Sequence, residues 1–228
     1  MENSLVTIAY MQSCFPEKFG IPRQSGLVGK LRGRIVFEPE FRSVHALRGL
    51  EEYSHIWLLW GFSKAQQCAW SPTLRPPRLG GNTRMGVFAT RSPYRPNQIG
   101  LSSVEIERIE WDTPQGAVIH VLGADLLDGT PIFDIKPYLP FTDSHPNAIA
   151  GFAEDKLGVS LHVNIEDKWL EMLTSEYAQT LKAILAQDPR PSYQHDPTRI
   201  YGMAFGEYEV KFVVDGEMLT VKSIEKSH

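Results

Sequence analysis

The stretch His55-Ile56-Trp57-Leu58-Leu59-Trp60-Gly61-Phe62 is apolar over most of its length. An uninterrupted apolar run of this size is typical of a strand that is covered on both faces. A second stretch, Val104-Glu105-Ile106-Glu107, alternates apolar and acidic residues, as a half-buried strand does. Together the two stretches predict a sheet that encloses a hydrophobic core.

Short apolar segments of similar length continue on both sides of these two. They span residues 5–10, 34–37, 85–90, 102–109, 117–122 and 131–135. Turn residues such as Pro76-Pro77, Gly80-Gly81 and Asp128-Gly129 separate them, and little helical periodicity lies between. Many short strands of this kind predict a mainly β fold, an antiparallel barrel or sandwich whose edges are closed.

The pattern changes near residue 145. Residues 1–145 are expected to form the barrel domain, residues 146–163 a linker, and residues 164–228 a small α+β domain. Apolar residues after Asn164 recur at helical spacing as far as Leu185, which predicts one amphipathic helix of about five to six turns with Asn164 as its N-cap. Alternating residues on both sides of Asp215-Gly216 predict a hairpin.

The charge of the chain is unevenly distributed. With 228 residues, of which 42% are hydrophobic, the chain can bury a full core, and its net charge of -4 gives no overall attraction to nucleic acid. Residues 71–100 differ, because they contain five arginines and no Asp or Glu, a local charge of +5. An anionic partner is therefore expected to bind locally. The five arginines are Arg75, Arg78, Arg84, Arg91 and Arg95.

Several classes of site are missing from the sequence. Cys14 and Cys68 form no C-x-x-C pattern, so neither a disulfide scaffold nor a zinc cage is expected. The histidines lack metal-ligand spacing, and no glycine-rich cofactor loop, phosphate loop or serine nucleophile motif occurs. A signal-peptide pattern and a run of about 18 apolar residues are also missing. We therefore expect a cytoplasmic protein with no metal and no membrane contact.

The segment Arg91-Ser92-Pro93-Tyr94-Arg95-Pro96-Asn97 directly follows a predicted strand. Its two prolines restrict the backbone and hold polar side chains outward with little entropy left to lose, which suits a binding site. A proline-rich turn with solvated arginines is an equally good interpretation of this segment alone. The same combination of arginine and proline recurs in Arg75-Pro76-Pro77-Arg78. This recurrence favours the interpretation as a binding site.

Two other segments allow similar alternatives. Polar residues follow the predicted strand 117–122; they are Asp125, Asp128, Asp134, Lys136 and Tyr138. Carboxylates at this place can hold ribose hydroxyls, a positive ligand or hydrated magnesium, although a plain turn at Asp128-Gly129 explains the segment as well. In residues 22–27, Gly26 allows backbone amides to approach a ligand closely, although an ordinary loop has the same composition.

Long motifs in these segments resemble those of the TsaA-like, or TrmO, family of tRNA methyltransferases. They are residues 75–82 (RPPRLGGN), 85–92 (MGVFATRS), 95–100 (RPNQIG), 128–131 (DGTP), 134–138 (DIKPY) and 186–193 (AQDPRPSY). The motifs occur in the order that the family has, and the resemblance covers nearly the whole chain.

The resemblance implies an S-adenosylmethionine-dependent enzyme built on an antiparallel β-barrel and acting as a homodimer. Members of the family methylate N6 of the threonylcarbamoyladenosine next to the anticodon of threonine tRNA. The resemblance also implies which residues contact the methyl donor. They are Ser25, Gly26, Leu27, Ser63, Lys64, Arg91, Leu101, Asp125, Leu126, Leu127 and Asp128.

The chemistry of the donor agrees with this set. A sulfonium that carries an adenosine and an amino acid needs an apolar slot, which Leu27, Leu101 and Leu126 can form. Asp125 or Asp128 can hold the ribose or the amine, and Arg91 can bind the donor's carboxylate in a fork.

The acceptor needs residues of its own. Tyr94, Asn97, Asp134 and Tyr138 are expected to hold the modified base, with Asp134 as the carboxylate for proton transfer. Contacts to tRNA are expected at Arg75, Arg78, Arg84, Arg95, Arg190 and Tyr193. A non-catalytic barrel that binds RNA or senses S-adenosylmethionine is the alternative function, and a metal-dependent hydrolase built on the aspartates is a third.

Overall fold

The computed structural model describes residues 4–63, 70–76, 83–156, 160–191, 194 and 196–227. The chain divides into two compact units. The first contains Met1–Ser13, Arg23–Thr73 and Gly86–Ala148, and the second contains Cys14–Pro22, Leu74–Met85 and Ile149–His228. Each unit is therefore made of separate stretches of the chain. The predicted division at residues 145 and 163 used continuous stretches instead.

The first unit contains a closed barrel, and each pair of neighbouring strands in it is antiparallel. Around the barrel, in the part of the chain that the structure describes, the order is β1-β2-β7-β6-β3-β8. The strands are β1 (Ala9–Ser13), β2 (Arg32–Phe37), β3 (His55–Gly61), β6 (Ile99–Glu110), β7 (Val118–Leu122) and β8 (Pro131–Pro137). Two short strands, β4 (Thr73–Leu74) and β5 (Met85–Gly86), form a separate two-stranded sheet. The mainly β fold class with an antiparallel barrel is confirmed.

The barrel interior is filled by side chains from alternate strand positions. In β3, Ile56 and Leu58 are fully buried in this core, whereas Trp57 lies on the outer face and is half-buried. The ring of Tyr138 packs against Trp57 at a centroid distance of 5.5 Å, and the Trp57 indole N–H donates to Asp143 Oδ2 at 2.8 Å. Asp143 ends a short helix, α1 (Pro140–Asp143), which therefore helps to cover the outer face of β3.

One predicted strand is mostly wrong. Residues 85–90 were expected to be extended, but only β5 is, and Val87–Ala89 form a 3-10 turn. Thr90 closes this turn, because its backbone N–H and its hydroxyl both donate to the carbonyl of Val87, at 3.2 and 2.9 Å. A threonine that satisfies a local carbonyl in this way competes with strand pairing.

The second unit contains a four-stranded sheet in the order β10-β11-β12-β9. The strands are β9 (His162–Asn164), β10 (Tyr201–Phe205), β11 (Tyr208–Asp215) and β12 (Met218–Lys226). The predicted hairpin at Asp215-Gly216 is confirmed by the antiparallel pairing of β11 with β12. β9 pairs in parallel with β12, although most of it lies in the segment predicted to be a linker.

The segment 14–22 belongs to this second unit because its aromatic side chains pack there. Phe15 is fully buried 5.9 Å from the ring of Phe205, and Phe19 stacks near Tyr201 and Phe212. Gly20 lies so close to Met203 that a Cβ would be 2.2 Å from its sulfur. Burial of large aromatic rings stabilises such a contact by several kcal/mol, about 2–3 per ring.

The single long helix predicted after Asn164 is wrong. Asn164 pairs with Thr220 as part of β9, and the helical segment is divided into α2 (Asp167–Leu170) and α3 (Ser175–Ala186). Thr174 has extended backbone angles, and its side chain accepts the N–H of Tyr177 at 3.3 Å. This N-cap starts a new helix. The helical spacing of apolar residues therefore continues across the break between α2 and α3.

Candidate functional site

The loop at residues 24–27 is held against the end of β7 by a pair of glycines. The backbone N–H of Gly26 donates to the carbonyl of Gly123 at 2.9 Å, and both glycines have positive φ, +78° and +76°. A side chain at either position would strain this backbone. Their close approach brings the Ser25 backbone N–H to the carboxylate of Asp125, which accepts a hydrogen bond from it.

Asp125 is the most enclosed acidic group of the predicted site. Burial raises the pKa of the Asp125 carboxyl above its usual value, and hydrogen bonds from Ser102, from its own backbone N–H and from Ser25 oppose the rise, as does the charge of Arg91. Oδ1 accepts the Ser102 hydroxyl at 2.6 Å. A carboxylate that is shielded from water and supplied with donors is typical of a site that binds a positive or hydroxyl-bearing ligand.

Arg91 is linked to the same loop. Its guanidinium is exposed and donates to Oε1 of Gln24, the residue before Ser25. Of the residues predicted to contact the donor, the structure therefore brings Arg91, Asp125 and Ser25-Gly26 together in the first unit. Their roles as contacts to the donor stay a prediction.

The other residues after Asp125 have different surroundings. Leu126 and Leu127 are buried, and Leu126 is part of the barrel core. Asp128 is exposed, and its Oδ1 accepts the backbone N–H of Ser13 at 2.9 Å, which caps the end of β1. The contacts of Asp128 are thus those of a turn residue.

Two leucines supply apolar surface. Leu27 is 40% exposed and Leu101 is 54% exposed. Leu101 pairs with Leu59, which in turn pairs with Asp134, so the three residues form one row across β6, β3 and β8. Side chains in one row of a sheet lie on the same face, which here is the outer face of the barrel. Ser63 is exposed just beyond the end of β3, and its predicted neighbour Lys64 lies outside the described residues.

The four residues predicted to hold the acceptor fall into two contact groups within the described residues. Tyr94 and Asn97 are exposed in the loop 90–98, where the Tyr94 N–H donates to Ser92 Oγ at 3.2 Å. Asp134 forms an ion pair with Lys136 at 2.9 Å and belongs to β8. Tyr138 follows the same strand and packs on Trp57, as described above.

The loop that carries Tyr94 is braced by further local bonds. The Arg95 guanidinium donates to the carbonyl of Thr90 at 3.3 Å, its backbone N–H donates to Pro93 at 2.9 Å, and the Ile99 N–H donates to Asn97 at 2.9 Å. These bonds and the two prolines limit the conformations available to the loop.

The arginines predicted to contact tRNA differ in exposure. Arg75 and Arg84 are exposed next to β4 and β5. Arg190 is only 9% exposed, and its guanidinium forms a bidentate pair with Asp188, at 2.8 and 2.9 Å. Asp188 has a φ of +50°. The guanidinium is enclosed, whereas the side chain of Asp188 is 36% exposed. The contact of Arg190 with tRNA stays a prediction. Arg78 and Tyr193 lie outside the described residues.

Two side chains of this site, Trp60 and Ser102, escaped the sequence analysis, and Gln24 was included only as part of the segment 22–27. Ser102 is 2% exposed, and the indole N–H of Trp60 donates to its hydroxyl at 3.0 Å. A usable signal was present, since Ser102 occupies a core-facing position two residues before the buried Val104. A buried hydroxyl needs a partner, and its partner here is Asp125.

The described residues contain no cluster of three or more His, Cys, Asp or Glu side chains able to hold a metal ion. In the same part of the chain, none of the helices is long and apolar enough to cross a membrane.

Comparison with known proteins agrees with this fold. Residues 10–144 match the tRNA-methyltransferase O N-terminal domain, and residues 154–227 match the TrmO C-terminal domain. The chain is 41% identical over 228 residues to the tRNA (adenine(37)-N6)-methyltransferase of Escherichia coli, a match that covers 96% of each protein.

Two further relatives extend the comparison. A crystal structure of TrmO from Pseudomonas aeruginosa superimposes with a TM-score of 0.80 at 36% identity, covering 100% of this chain and 98% of the other. A Pyrococcus abyssi protein named for S-adenosyl-L-methionine binding is 36% identical over 148 residues, which is 64% of this chain and 74% of its own. Both family domains and the whole fold are matched, and the chain therefore belongs to the TrmO family of tRNA methyltransferases.

Proposed function

We propose that the protein transfers the methyl group of S-adenosylmethionine to N6 of threonylcarbamoyladenosine at position 37 of tRNA, next to the anticodon. Methylation of adenine 37 is the activity named for the Escherichia coli relative, which the chain matches over almost its full length. The threonylcarbamoyl group and the choice of threonine tRNA are the finer parts of the proposal.

The observation that carries the proposal is the half-buried Asp125 carboxylate, which senses the charge of Arg91. S-adenosylmethionine supplies a methyl group on a cationic sulfur, and it also carries an ammonium, a carboxylate and ribose hydroxyls. Asp125 has the chemistry to accept hydrogen bonds from the ammonium or the ribose, and the exposed Arg91 can bind a carboxylate in a fork. Leu27 and Leu101 offer apolar contact. The donor set present therefore fits this cofactor.

The acceptor side of the proposal depends on positioning. The lone pair of an exocyclic N6 is delocalised into the purine, but a carbamoyl substituent makes the N–H more acidic. Proton removal then needs no strongly activated base, and holding the nitrogen in line with the methyl group supplies much of the acceleration. Tyr94, Asn97 and Tyr138 are proposed to hold the base and Asp134 to accept the proton.

Binding of tRNA is proposed at the arginine-rich window. Arg75, Arg84 and Arg91 are exposed, and residues 71–100 contain no acidic side chain. Exposed arginines neutralise phosphates and release counterions, so affinity should fall steeply with salt although the whole chain is acidic. Arg78 and Arg95 are proposed to contact phosphates as well.

A homodimer in the cytoplasm is the remaining part of the proposal. Two large apolar side chains of the first unit, Phe88 and Ile99, are exposed close in sequence to Arg91 and Leu101, which are proposed to contact the donor. Phe88 is 75% exposed. A second copy of the chain would remove such surface from water. The cytoplasm is where a tRNA substrate is found.

The test is methyl transfer from radiolabelled S-adenosylmethionine to threonine tRNA with and without the threonylcarbamoyl group. We expect label at adenosine 37 only in the modified tRNA, and loss of label when Arg91 is replaced by alanine. Transfer to unmodified tRNA at an equal rate would contradict the proposed substrate. Binding of donor and tRNA without any transfer would instead support a non-catalytic RNA-binding or S-adenosylmethionine-sensing barrel.

A further inference from the structure

Trp60, Ser102 and Asp125 form a continuous chain of hydrogen bonds at one end of the barrel. The Trp60 Nε1–H donates to Ser102 Oγ at 3.0 Å, and the Ser102 hydroxyl donates to Asp125 Oδ1 at 2.6 Å. Ser102 is 2% exposed, so water has little access to the middle of this chain. The three residues come from β3, β6 and the segment after β7.

The chemistry of the indole fixes the direction of both bonds. An indole N–H is a donor only, so the Ser102 oxygen must be its acceptor. The single proton of the Ser102 hydroxyl is then directed to Asp125. The distance of 2.6 Å is in the range of a hydroxyl that donates to an ionised carboxylate. One oxygen of Asp125 is thereby held in a fixed orientation by two residues that lie behind it.

The backbone of β6 is shaped to admit the indole. A Cβ on Gly100 would lie 2.3 Å from Trp60 Cε2, so the ring occupies the place of a side chain at that position. Phe62 packs edge-on against the same ring at a centroid distance of 4.4 Å. The indole is therefore confined on two sides, and its N–H stays directed at Ser102.

We propose that Trp60 and Ser102 are positioning residues that hold the Asp125 carboxylate in the orientation in which it binds S-adenosylmethionine. This inference rests on the proposed function, in which Asp125 contacts the donor. The carboxylate has rotatable bonds of its own, and a preoriented group loses less entropy when the ligand binds. Neither residue touches tRNA in this scheme, so the two act on the donor alone.

The test is a double-mutant cycle on donor affinity, measured calorimetrically with the full-length chain and S-adenosylmethionine. We expect Ser102→Ala to weaken donor binding about tenfold, the size of one charge-assisted hydrogen bond. In steady-state assays the KM for the donor should rise, whereas the KM for tRNA should not change. Ser103→Ala, the next residue on the opposite face of β6, is the matched control and should bind the donor normally.

The cycle separates this inference from the proposed function. If Ser102 acts through Asp125, then Ser102→Ala should add no further loss in an Asp125→Asn background. Equal losses in both backgrounds would overturn the positioning role. An Asp125→Asn variant with unchanged donor affinity would overturn the donor site itself.

A second variant covers the case in which Ser102→Ala does not fold. Trp60→Phe keeps an aromatic ring but removes the N–H that fixes the Ser102 hydroxyl, and we expect a loss of donor affinity of about threefold. Unchanged affinity in Trp60→Phe would exclude Trp60 from the positioning pair. Thermal unfolding of each variant without the donor will show whether a loss of binding reflects a loss of folded protein.

Discussion

A Cβ atom on Gly123 would lie 3.3 Å from both the Cα and the N atom of Gly26. The two glycines are 97 positions apart in the chain, and their contact is what places the loop 24–27 beside Asp125. The proposed donor site thus depends on backbone packing as well as on polar side chains.

Gly123→Ala should therefore weaken donor binding. The added methyl group strains a residue with positive φ by about 1 kcal/mol and also pushes the 24–27 loop away from Asp125. Gly49→Ala is the matched control, since Gly49 has a φ of +87° and open space around its Cβ position. We expect similar losses of stability in the two variants but a raised Kd for S-adenosylmethionine in Gly123→Ala alone. Equal donor affinity in both variants would show that the glycine contact does not shape the donor site.

Arg91→Ala should weaken S-adenosylmethionine binding about tenfold to a hundredfold, because a charged hydrogen-bond donor is lost. Arg91→Lys should recover only part of the affinity, since an ammonium lacks the guanidinium fork. Gln24→Ala, which removes the side chain that holds Arg91, should have a smaller effect in the same direction. Titration of each variant with the donor checks the order, and a wild-type Kd for Arg91→Ala would remove Arg91 from the site.

Asp125 gives the stability of the donor-free protein a pH dependence. Because burial raises its pKa in the folded state above the ordinary value of 3.8, the folded chain retains the proton that the unfolded chain loses. The contribution of this group is present below pH 3.8 and is lost as the pH rises through the folded pKa. Across this window, the melting temperature of the wild type should fall relative to that of Asp125→Asn as the pH rises. An opposite trend would show that the charged form is favoured by folding.

The N-cap of α3 can be tested by itself. Thr174→Ala should destabilise the protein by about 1 kcal/mol, because the Tyr177 N–H loses its acceptor, whereas Thr174→Ser should stay near wild type. Urea unfolding measures both. A loss of the same size in the serine variant would mean that the methyl group, and not the hydroxyl, matters at this position.

Arg75 and Arg190 should behave in opposite ways. Arg75→Ala is expected to weaken tRNA binding and to reduce the slope of log affinity against log salt by about 1. Arg190→Ala should mainly lower stability, by about 1–3 kcal/mol, because the removed guanidinium is buried against Asp188. Binding of tRNA at several salt concentrations and unfolding curves distinguish the two variants. A reduced salt slope in Arg190→Ala would show that Arg190 contacts tRNA phosphates.

Local pattern was sufficient to predict much of this protein. Strand length, apolar alternation and turn residues depend on neighbours a few positions away, and they indicated the barrel strands and the hairpin at Asp215-Gly216. The same locality explains the errors. Helical periodicity continued across the break at Thr174, since a cap changes the backbone without changing the spacing of apolar residues. A short apolar run did not distinguish β5 from the 3-10 turn that follows it.

Only the tertiary structure decided which acidic and basic residues share a site. Asp125 and Asp128 are three positions apart and chemically equal in the sequence, but Asp125 meets Ser102 and the loop at Ser25, whereas Asp128 caps β1. Arg190 reads as a surface cation in the sequence, and the fold buries it. The sequence by itself determined the kind of fold and the types of side chain. Burial and hydrogen-bond partners are set by segments far away in the chain, so the packing of β6, β7 and the 24–27 loop decided which of these side chains come together at the proposed donor site.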